Sequence, residues 1–272
     1  MTSHDVVSVL RKQLGERRIG HAGTLDPDAT GVLLVGVGYV TRLLTFLSGL
    51  DKTYTGQIVL GSATSTLDSS GAVTATHDMS NISIEDVQRV VKEIFVGKIL
   101  QVPPMVSALK VDGVRLHELA RQGIEIERAA RELTIHSFKV FGMSEPGVVD
   151  VEIHCSSGTY IRSLADDLGR ALGGSAHLRN LRRISVGGFL QSECSNLDDV
   201  IVHPPITAVR TMSRVVADEQ MQTMIKHGRE LEKFDSPAPW VLVDEQNAVL
   251  AVYELSPSGR AKPSVVMANA VA

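Results

Sequence analysis

The chain has 272 residues, of which 43% are hydrophobic and 21% are charged, and its formal net charge is −4. This composition is that of a globular protein with one large and one small domain. No apolar run approaches the ~18–20 residues of a membrane-spanning helix, and we see no signal peptide at the start of the chain. Cys155 and Cys194 have neither metal-ligand spacing nor the number needed for a disulfide framework. We interpret them as two buried thiols of a cytoplasmic protein.

Helical periodicity predicts three clear helices. The first starts near Ser3 or Asp5, which can cap it, and continues to about Leu14. The second follows Ser83, has two acidic residues in its first turn and ends before Gly97. The third runs from about Ile161 to Leu172, where two glycines stop it.

Strand-like alternation separates these helices and favours an α+β fold. The predicted strands form hairpin-like pairs and do not follow a regular βαβ repeat. We therefore expect a mixed, largely antiparallel sheet flanked by helices. A further hairpin is predicted from Trp240 to Leu255, after two proline clusters. We divide the chain into a large domain, residues 1–211, and a small, mostly β domain, residues 212–272. The alternating stretches of the larger domain are residues 53–60, 133–141 and 148–155.

Charge is unevenly distributed along the chain. Residues 155–190 carry five arginines against Asp166 and Asp167, a net charge of +3, whereas residues 191–272 carry seven basic and eleven acidic side chains. The negative total excludes a protein that simply coats nucleic acid, so an RNA ligand would meet a local basic surface. The arginine-rich segment can provide that surface, and a plain solvated basic face is the alternative.

Residues 20–31 are predicted to form a tightly shaped loop, because three glycines and a proline fall within twelve residues. Asp26 precedes Pro27, which biases its backbone towards an extended conformation. A buried apolar run follows the loop and supports it, so the carboxylate of Asp26 is well placed to project into a cleft. The local pattern leaves two interpretations open, a catalytic carboxylate and a residue that caps a turn.

Five ordered segments of the chain resemble the bacterial tRNA pseudouridine-55 synthases. The run GHAGTLDPDATGVL, residues 20–33, is similar to the catalytic-loop motif of that family, and the similarity extends over residues 1 to about 210. The later segments follow in the family's order and at its spacing. They are Lys52-Thr53-Tyr54, residues 102–110 (VPPMVSALK) with 116–123 (LHELARQG), residues 155–164 (CSSGTYIRSL), His177-Leu178-Arg179 and Leu181-Arg182-Arg183.

The resemblance implies a pseudouridine-synthase fold with a C-terminal domain like the PUA module. It also implies an isomerase that converts one T-loop uridine of tRNA, at position 55, to pseudouridine after flipping the base, with no cofactor and no metal. Asp26 is then the essential carboxylate, as a nucleophile or as a base. Arg162 is the arginine that holds it, and Tyr54 is the tyrosine that lies against the flipped base and helps to remove the C5 proton.

The resemblance implies further substrate contacts. His21 corresponds to the histidine that packs where the target base was, and Leu181 to an apolar residue of the uracil pocket. Without the resemblance, a lone histidine in a glycine loop and a core leucine would be the default interpretations. Residues 107–131 are polar, basic and rich in turn residues, so we expect a mobile loop that closes over the T-arm. A plain solvated connection is the alternative. The basic residues expected to bind RNA are Lys110, Arg121, Arg179 and Arg182, on a protein that we expect to be a monomer.

Two other functions and one departure from the family have to be considered. The family has a strand and a lysine-proline-glycine turn before the segment that matches residues 1–5, so we expect an exposed sheet edge here. A tRNA-binding folding helper without turnover is one alternative function. The other is a Mg²⁺-dependent phosphotransferase, because Asp26, Asp28 and Thr30 fit an Asp-x-Asp-x-Thr pattern.

Overall fold

The structure is a computed structural model that describes residues 1–107, 109–111, 113–116, 119, 122–124 and 126–267. For Lys110, Val111 and Arg115 only the backbone is described. Among the described residues, no helix combines the length and the apolar character needed to cross a membrane.

Helices and strands alternate along the described chain. The α-helices are α1 (Ser3–Leu14), α2 (Leu44–Ser48), α3 (Ile84–Ile94), α4 (Ile161–Ala171), α5 (Pro205–Ala208) and α6 (Glu219–Lys226). The strands of the first half are β1 (Ile19–Ala22), β2 (Thr30–Gly31), β3 (Leu34–Val37), β4 (Lys52–Leu60), β5 (Ser62–Thr64), β6 (Val73–Thr76), β7 (Gly97–Gln101), β8 (Lys110–Val111) and β9 (Val114–Arg115). Those of the second half are β10 (Arg131–Glu145), β11 (Val148–Cys155), β12 (Ala176–Val186), β13 (Phe189–Leu190), β14 (Ser213–Val216), β15 (Trp240–Val243), β16 (Val249–Leu255) and β17 (Ala261–Val266).

Two compact units alternate along the sequence. The first contains the described residues of Met1–Ser3, Thr24–Leu33 and Gly49–Cys194. The second contains those of His4–Gly23, Leu34–Ser48 and Ser195–Ala272. The predicted boundary between residues 211 and 212 does not coincide with the ends of these units, and as a division into domains it stays a prediction.

The first unit is built on a sheet with the strand order β13-β12-β4-β11-β10-β7. Neighbours along this path are antiparallel, and the short strand β2 lies parallel to β12. Helices α3 and α4 pack on one face, where Val87, Leu164 and Leu168 meet Ile58 and Ile153 of the sheet. This core fixes the strand and the helix that carry the residues of the site described below.

The second unit contains the sheet β14-β15-β16-β17, in which β14 and β15 are parallel and the other pairs are antiparallel. Trp240 and Tyr253 are fully buried in its core together with Ile225 of α6. A smaller cluster joins α1 to the β1–β3 hairpin through Val7 and Ile19.

The predicted α+β class and largely antiparallel sheet are confirmed. Helix α3 starts where Ser83 forms a reciprocal capping box with Asp86, and α4 ends one residue before the predicted stop. The predicted strands correspond to β4, β10 and β11, and the predicted hairpin to β15 and β16. The expectation of two buried thiols was wrong for one of them: Cys155 is buried and Cys194 is exposed. Cys194 lies in a short turn after β13, outside the alternating pattern that places Cys155 in the core.

Candidate active site

The centre of the site is a two-point ion pair between Asp26 and Arg162. Nε of Arg162 donates to Oδ2 of Asp26 at 2.9 Å, and Nη2 donates to Oδ1 at 2.7 Å. The side chain of Arg162 is 5% exposed, whereas that of Asp26 is 35% exposed. The guanidinium therefore lies behind the carboxylate, which remains open on its other side, and two parallel hydrogen bonds fix its direction as well as its charge.

Two of the three remaining donors of Arg162 bind backbone carbonyls. Nη1 donates to the carbonyl of Thr66 at 3.0 Å, and Nη2 also donates to the carbonyl of Val106 at 2.9 Å. A second carboxylate, Asp68, has Oδ2 at 3.6 Å from Nε. Oδ1 of Asp68 accepts from Ser70 and from the hydroxyl of Thr66, so this carboxylate is anchored independently of the arginine. One buried cation therefore lies between two acidic side chains.

The position of Arg162 is set by the start of α4. Arg162 is the second residue of this helix, and Tyr160, the N-cap residue, makes no side-chain capping bond. Instead, the buried Gln101 donates to the carbonyl of Tyr160 at 3.1 Å and accepts from its amide at 2.8 Å. A helix N-terminus disfavours a cation. The two carboxylates compensate for that unfavourable location.

Asp26 lies in the predicted loop, just before β2. The amide of Ala29 donates to the carbonyl of Asp26 at 3.0 Å, which closes a turn around Pro27. One residue earlier, the amide of Leu25 donates to the buried hydroxyl of Ser3 at 2.9 Å. Bonds on both sides of Asp26 therefore hold the loop and limit the directions in which its carboxylate can point.

The end of the loop is fixed against β12. Gly31 has φ of +103°, and a Cβ there would lie 2.1 Å from the carbonyl oxygen of Arg183. The buried Arg183 also binds the next residue, since Nε donates to the carbonyl of Val32 at 2.7 Å and its own carbonyl accepts from the amide of Val32 at 2.8 Å. Glycine is required here because no side chain fits between the two backbones.

Tyr54 lies on β4, directly opposite Arg183 of β12. Its side chain is buried in the core of the sheet. Burial raises the pKa of the Tyr54 hydroxyl, and the charge and hydrogen bond of Arg183 oppose this effect. The charge of Asp26 also raises the pKa of Tyr54. Tyr54 is therefore a neutral phenol at physiological pH.

Asp26 and Arg162 line an open cleft. Asp68 and Asp28 are on its polar side, and Leu178 and Leu181 of β12 supply apolar contacts. β12 is irregular at this point: its register against β4 shifts between Arg179 and Arg182, and Asn180 has φ of +54°. Such bulges occur next to active sites, where they redirect side chains. The cleft combines a carboxylate, a cation and an apolar wall, as a site for a flat, polar-edged ring requires.

The two predicted RNA-binding arginines of β12 are engaged with protein groups. Arg179 donates to the side chain of Gln57 at 3.0 Å and pairs with Glu145 at 2.8 Å. Arg182 donates to the hydroxyl of Thr30 at 2.9 Å and to a neighbouring glutamine side chain. Arg179 also lines the cleft. Their roles in RNA binding stay predictions.

Three other predicted contacts are not tested by the described residues of this site. The backbone of Lys110 lies in β8, which pairs with β9, and its side chain is outside the described residues. Arg121 is outside them too. His21 is half-buried on β1, opposite Val35, and belongs to the second compact unit, whereas Asp26 belongs to the first. The closing loop expected over residues 107–131 stays a prediction.

Comparison with known proteins identifies the family. The TruB family pseudouridylate synthase N-terminal domain matches residues 11–161, and the tRNA pseudouridylate synthase B C-terminal domain matches residues 162–204. The chain belongs to the TruB family of pseudouridylate synthases. It is therefore an enzyme of the isomerase class. The resemblance seen in the sequence motifs is confirmed.

Relatives cover nearly the whole chain. The tRNA pseudouridine synthase B of Halalkalibacterium halodurans is 38% identical, with 99% of this chain and 94% of the relative covered. That of Rhodococcus jostii is 43% identical, with 98% and 90% covered. Among solved structures, a Cbf5-Nop10-Gar1 complex aligns with a TM-score of 0.70 at 25% identity, covering 93% of this chain and 74% of that one. A chain of an H/ACA RNP bound to a substrate RNA containing 2'-deoxyuridine has a TM-score of 0.71 at 21% identity, covers 97% and 80%, and shows the shared fold.

Sequence reasoning missed two residues that contact the candidate site, Asp68 and Arg183. Asp68 was not proposed, although Thr66-Leu67-Asp68 repeats the tripeptide Thr24-Leu25-Asp26 and so carried a visible signal. Arg183 was noted within a motif without a role. Its function as the partner of Tyr54 depends on cross-strand pairing, which the spacing of residues along one chain does not show.

Proposed function

We propose that this TruB-family chain converts the uridine at position 55 in the T-loop of tRNA to pseudouridine, with Asp26 as the essential carboxylate. The observation that carries this proposal is the two-point pair between Asp26 and the buried Arg162 at the wall of an open cleft. The names of the relatives, tRNA pseudouridine synthase B, support tRNA as the substrate.

The geometry suits a carboxylate that must stay ionised in a closed pocket. Burial by a substrate favours the neutral acid, and an adjacent guanidinium favours the anion. Arg162 engages each oxygen of Asp26 once, while an ionised carboxylate offers about four lone-pair positions. The other lone pairs face the cleft and are available to attack C1′ of the ribose or the base, or to remove a proton.

The target base has to leave its stack to reach Asp26, at a cost of a few kcal/mol. Leu181 and Leu178 supply the apolar wall against which the flipped uracil packs. Tyr54 supports the base from the sheet. As a neutral phenol, Tyr54 can accept the C5 proton only after its own hydroxyl proton has passed to another acceptor such as water, and the charge of Arg183 favours the phenolate that this loss creates.

Two other functions fit the site less well. The Mg²⁺ that a phosphotransferase of this pattern needs would bind beside the first aspartate of the motif, and here the positive charge of Arg162 next to Asp26 disfavours a second cation. Thr30 of the same motif accepts from Arg182. A tRNA-binding folding helper without turnover would keep the cleft but release no C5 hydrogen, so the same assay separates it from an enzyme. We also propose that the protein acts in the cytoplasm as a monomer.

The test is the release of tritium from C5 of uridine in a T-arm RNA, with EDTA present. One substrate carries the label only at position 55 and a second only at the neighbouring uridine 54. The parent protein is expected to release label from the first substrate alone, and Asp26→Asn from neither while still binding the RNA.

Three results would contradict parts of the proposal. Release from position 54 would refute the assigned position. Release by Asp26→Asn would refute the role of the carboxylate. Binding by the parent without release would favour the folding helper over the enzyme.

A further inference from the structure

Two histidines and an aspartate meet on the sheet face opposite Tyr54. His136 is on β10, His154 is on β11, and Asp51 immediately precedes β4. One ligand atom from each, a ring nitrogen or a carboxylate oxygen, lies within 4.8 Å of the other two. We propose that these three side chains bind a zinc-class divalent cation, Zn²⁺ or a chemically similar late first-row metal.

The side-chain geometry is close to that of a metal site. Nε2 of His136 lies 3.1 Å from Oδ2 of Asp51. The rings of His136 and His154 have centroids 4.7 Å apart and are tilted by 40°. Zn–N and Zn–O bonds of 2.0–2.2 Å in a tetrahedron put ligand atoms roughly 3.3 Å apart. The pair of His136 and Asp51 is close to that separation. The His154 nitrogen lies within 4.8 Å of both and would have to move closer when the ion binds.

The backbone presents the three side chains on one face. Residues 135 and 137 pair with 155 and 154, so His136 is the extra residue of a β-bulge. Bulges redirect the side chain that they carry. His154 pairs with Thr53, two residues from Asp51, and the backbone carbonyl of Asp51 accepts from Gly187 at 2.7 Å. The three ligands therefore start from hydrogen-bonded backbone of adjacent strands.

Side chains alternate between the two faces of the sheet along β11, and this alternation places the cluster on the face away from the catalytic cleft. Tyr54 pairs directly with Ile153, and both are in the core beneath α3 and α4. His154 is the next residue along β11, so its side chain points to the other face of the sheet. A cation bound there would link three adjacent strands and would not take part in the reaction at Asp26.

The donor set selects the class of metal. Two imidazoles and one carboxylate suit Zn²⁺, Co²⁺, Ni²⁺ and Cu²⁺, whereas Mg²⁺ and Ca²⁺ prefer oxygen ligands. The side chains of His136 and Asp51 are 36% and 42% exposed, which gives an ion access from solvent. Three protein ligands leave a fourth position for water, as in open zinc sites. The competing explanation is a surface histidine–carboxylate ion pair with a second histidine nearby, which would not select a metal.

The test is a titration of the chelator-treated full-length protein with Zn²⁺ alone, followed by calorimetry and by thermal unfolding. We expect one Zn²⁺ bound per chain and a Tm raised by about 3–6 °C at saturation. Co²⁺ in place of Zn²⁺ should give visible d–d absorption. Mg²⁺ should neither bind in the calorimeter nor raise Tm.

The variants His136→Ala, His154→Gln and Asp51→Asn should each weaken Zn²⁺ binding at least tenfold. His203→Ala, which removes an exposed histidine elsewhere in the chain, should leave binding unchanged. These side chains are at the surface, and circular dichroism checks that each variant is folded. Zn²⁺ binding by the double variant His136→Ala/His154→Gln with the affinity of the parent, or no saturable binding by the parent, would overturn the proposal. Neither readout depends on catalysis.

Discussion

Replacement of Arg162 by lysine keeps the positive charge and removes the planar fork of donors. In the structure the guanidinium makes two hydrogen bonds to Asp26 and one to each of two backbone carbonyls, those of Thr66 and Val106. A lysine ammonium is a single point with three donors, so it cannot reproduce both the two-point pair and the bonds to the two carbonyls. In Arg162→Lys we therefore predict that the carboxylate of Asp26 keeps a positively charged neighbour but is no longer held in one orientation.

The size of the effect follows from the bonds that are lost. A hydrogen bond to a charged group contributes about 1.5–3 kcal/mol, and the lower end applies because the side chain of Asp26 is 35% exposed. Loss of one bond to Asp26 and one to a buried carbonyl gives about 2.5–3 kcal/mol. At 1.36 kcal/mol for each factor of ten, this is about a 100-fold lower rate of tritium release. Arg162→Ala should lose more, because it leaves Asp26 without its partner.

The assay is single-turnover release of C5 tritium from T-arm RNA at saturating enzyme, so that RNA affinity does not enter the rate. The matched control is Arg170→Lys, on the same helix, because Arg170 pairs with Asp166 but is 69% exposed. That substitution should change the rate less than twofold. A rate for Arg162→Lys within threefold of the parent, in a variant with an unchanged Tm, would refute the claim that the two-point geometry matters.

Three further predictions test the surroundings of this pair. Asp68→Asn should lower the turnover rate about tenfold, because the single amide oxygen cannot accept from Ser70 and also face Arg162. An unchanged rate in the same tritium assay would contradict this. Gly31→Ala should lower the free energy of unfolding by about 3 kcal/mol, whereas Gly49→Ala, in open space, should change it little; urea unfolding compares the two. Burial, and then the charge of Asp166, raises the pKa of Asp167 in the folded protein above its value in the unfolded chain. Between these two pKa values the folded protein binds more protons than the unfolded protein, so the free energy of unfolding falls as pH rises through this range. Asp167→Asn should therefore raise Tm at pH 7 and have no effect at a pH below both values, and equal Tm differences at the two pH values would refute the argument.

Much of the fold could be predicted from the sequence because its signals are local. The start of α3 depends on Ser83 and Asp86, which are three residues apart and bond to each other. Strand β11 alternates buried and half-buried residues along its length, and the same alternation is visible in the sequence. Loop residues before Gly31 were recognised from glycine and proline alone. Local interactions of this kind leave a pattern that can be read within one segment.

The site could be predicted only in part, because its contacts join distant segments. Asp26 and Arg162 are 136 positions apart, and only the family resemblance paired them. No spacing rule joins Asp51 to His136 and His154, so the proposed metal site is visible only once three strands are placed side by side. The register shift in β12 near Asn180 is equally hidden, since it depends on how β12 pairs with β4.

The arrangement around Arg162 fits the proposed catalytic role of Asp26 better than it fits a role in stability alone. A buried cation in the first turn of a helix is unfavourable twice, by desolvation and by the helix dipole. Asp26 alone could neutralise it, yet Asp68 is held 3.6 Å away by bonds that do not involve the arginine. A substrate that draws the charge of Asp26 into bond making would leave Arg162 uncompensated at that moment. In the proposed mechanism, Asp68 supplies a second negative charge that stays in place, so the guanidinium would remain neutralised while Asp26 reacts.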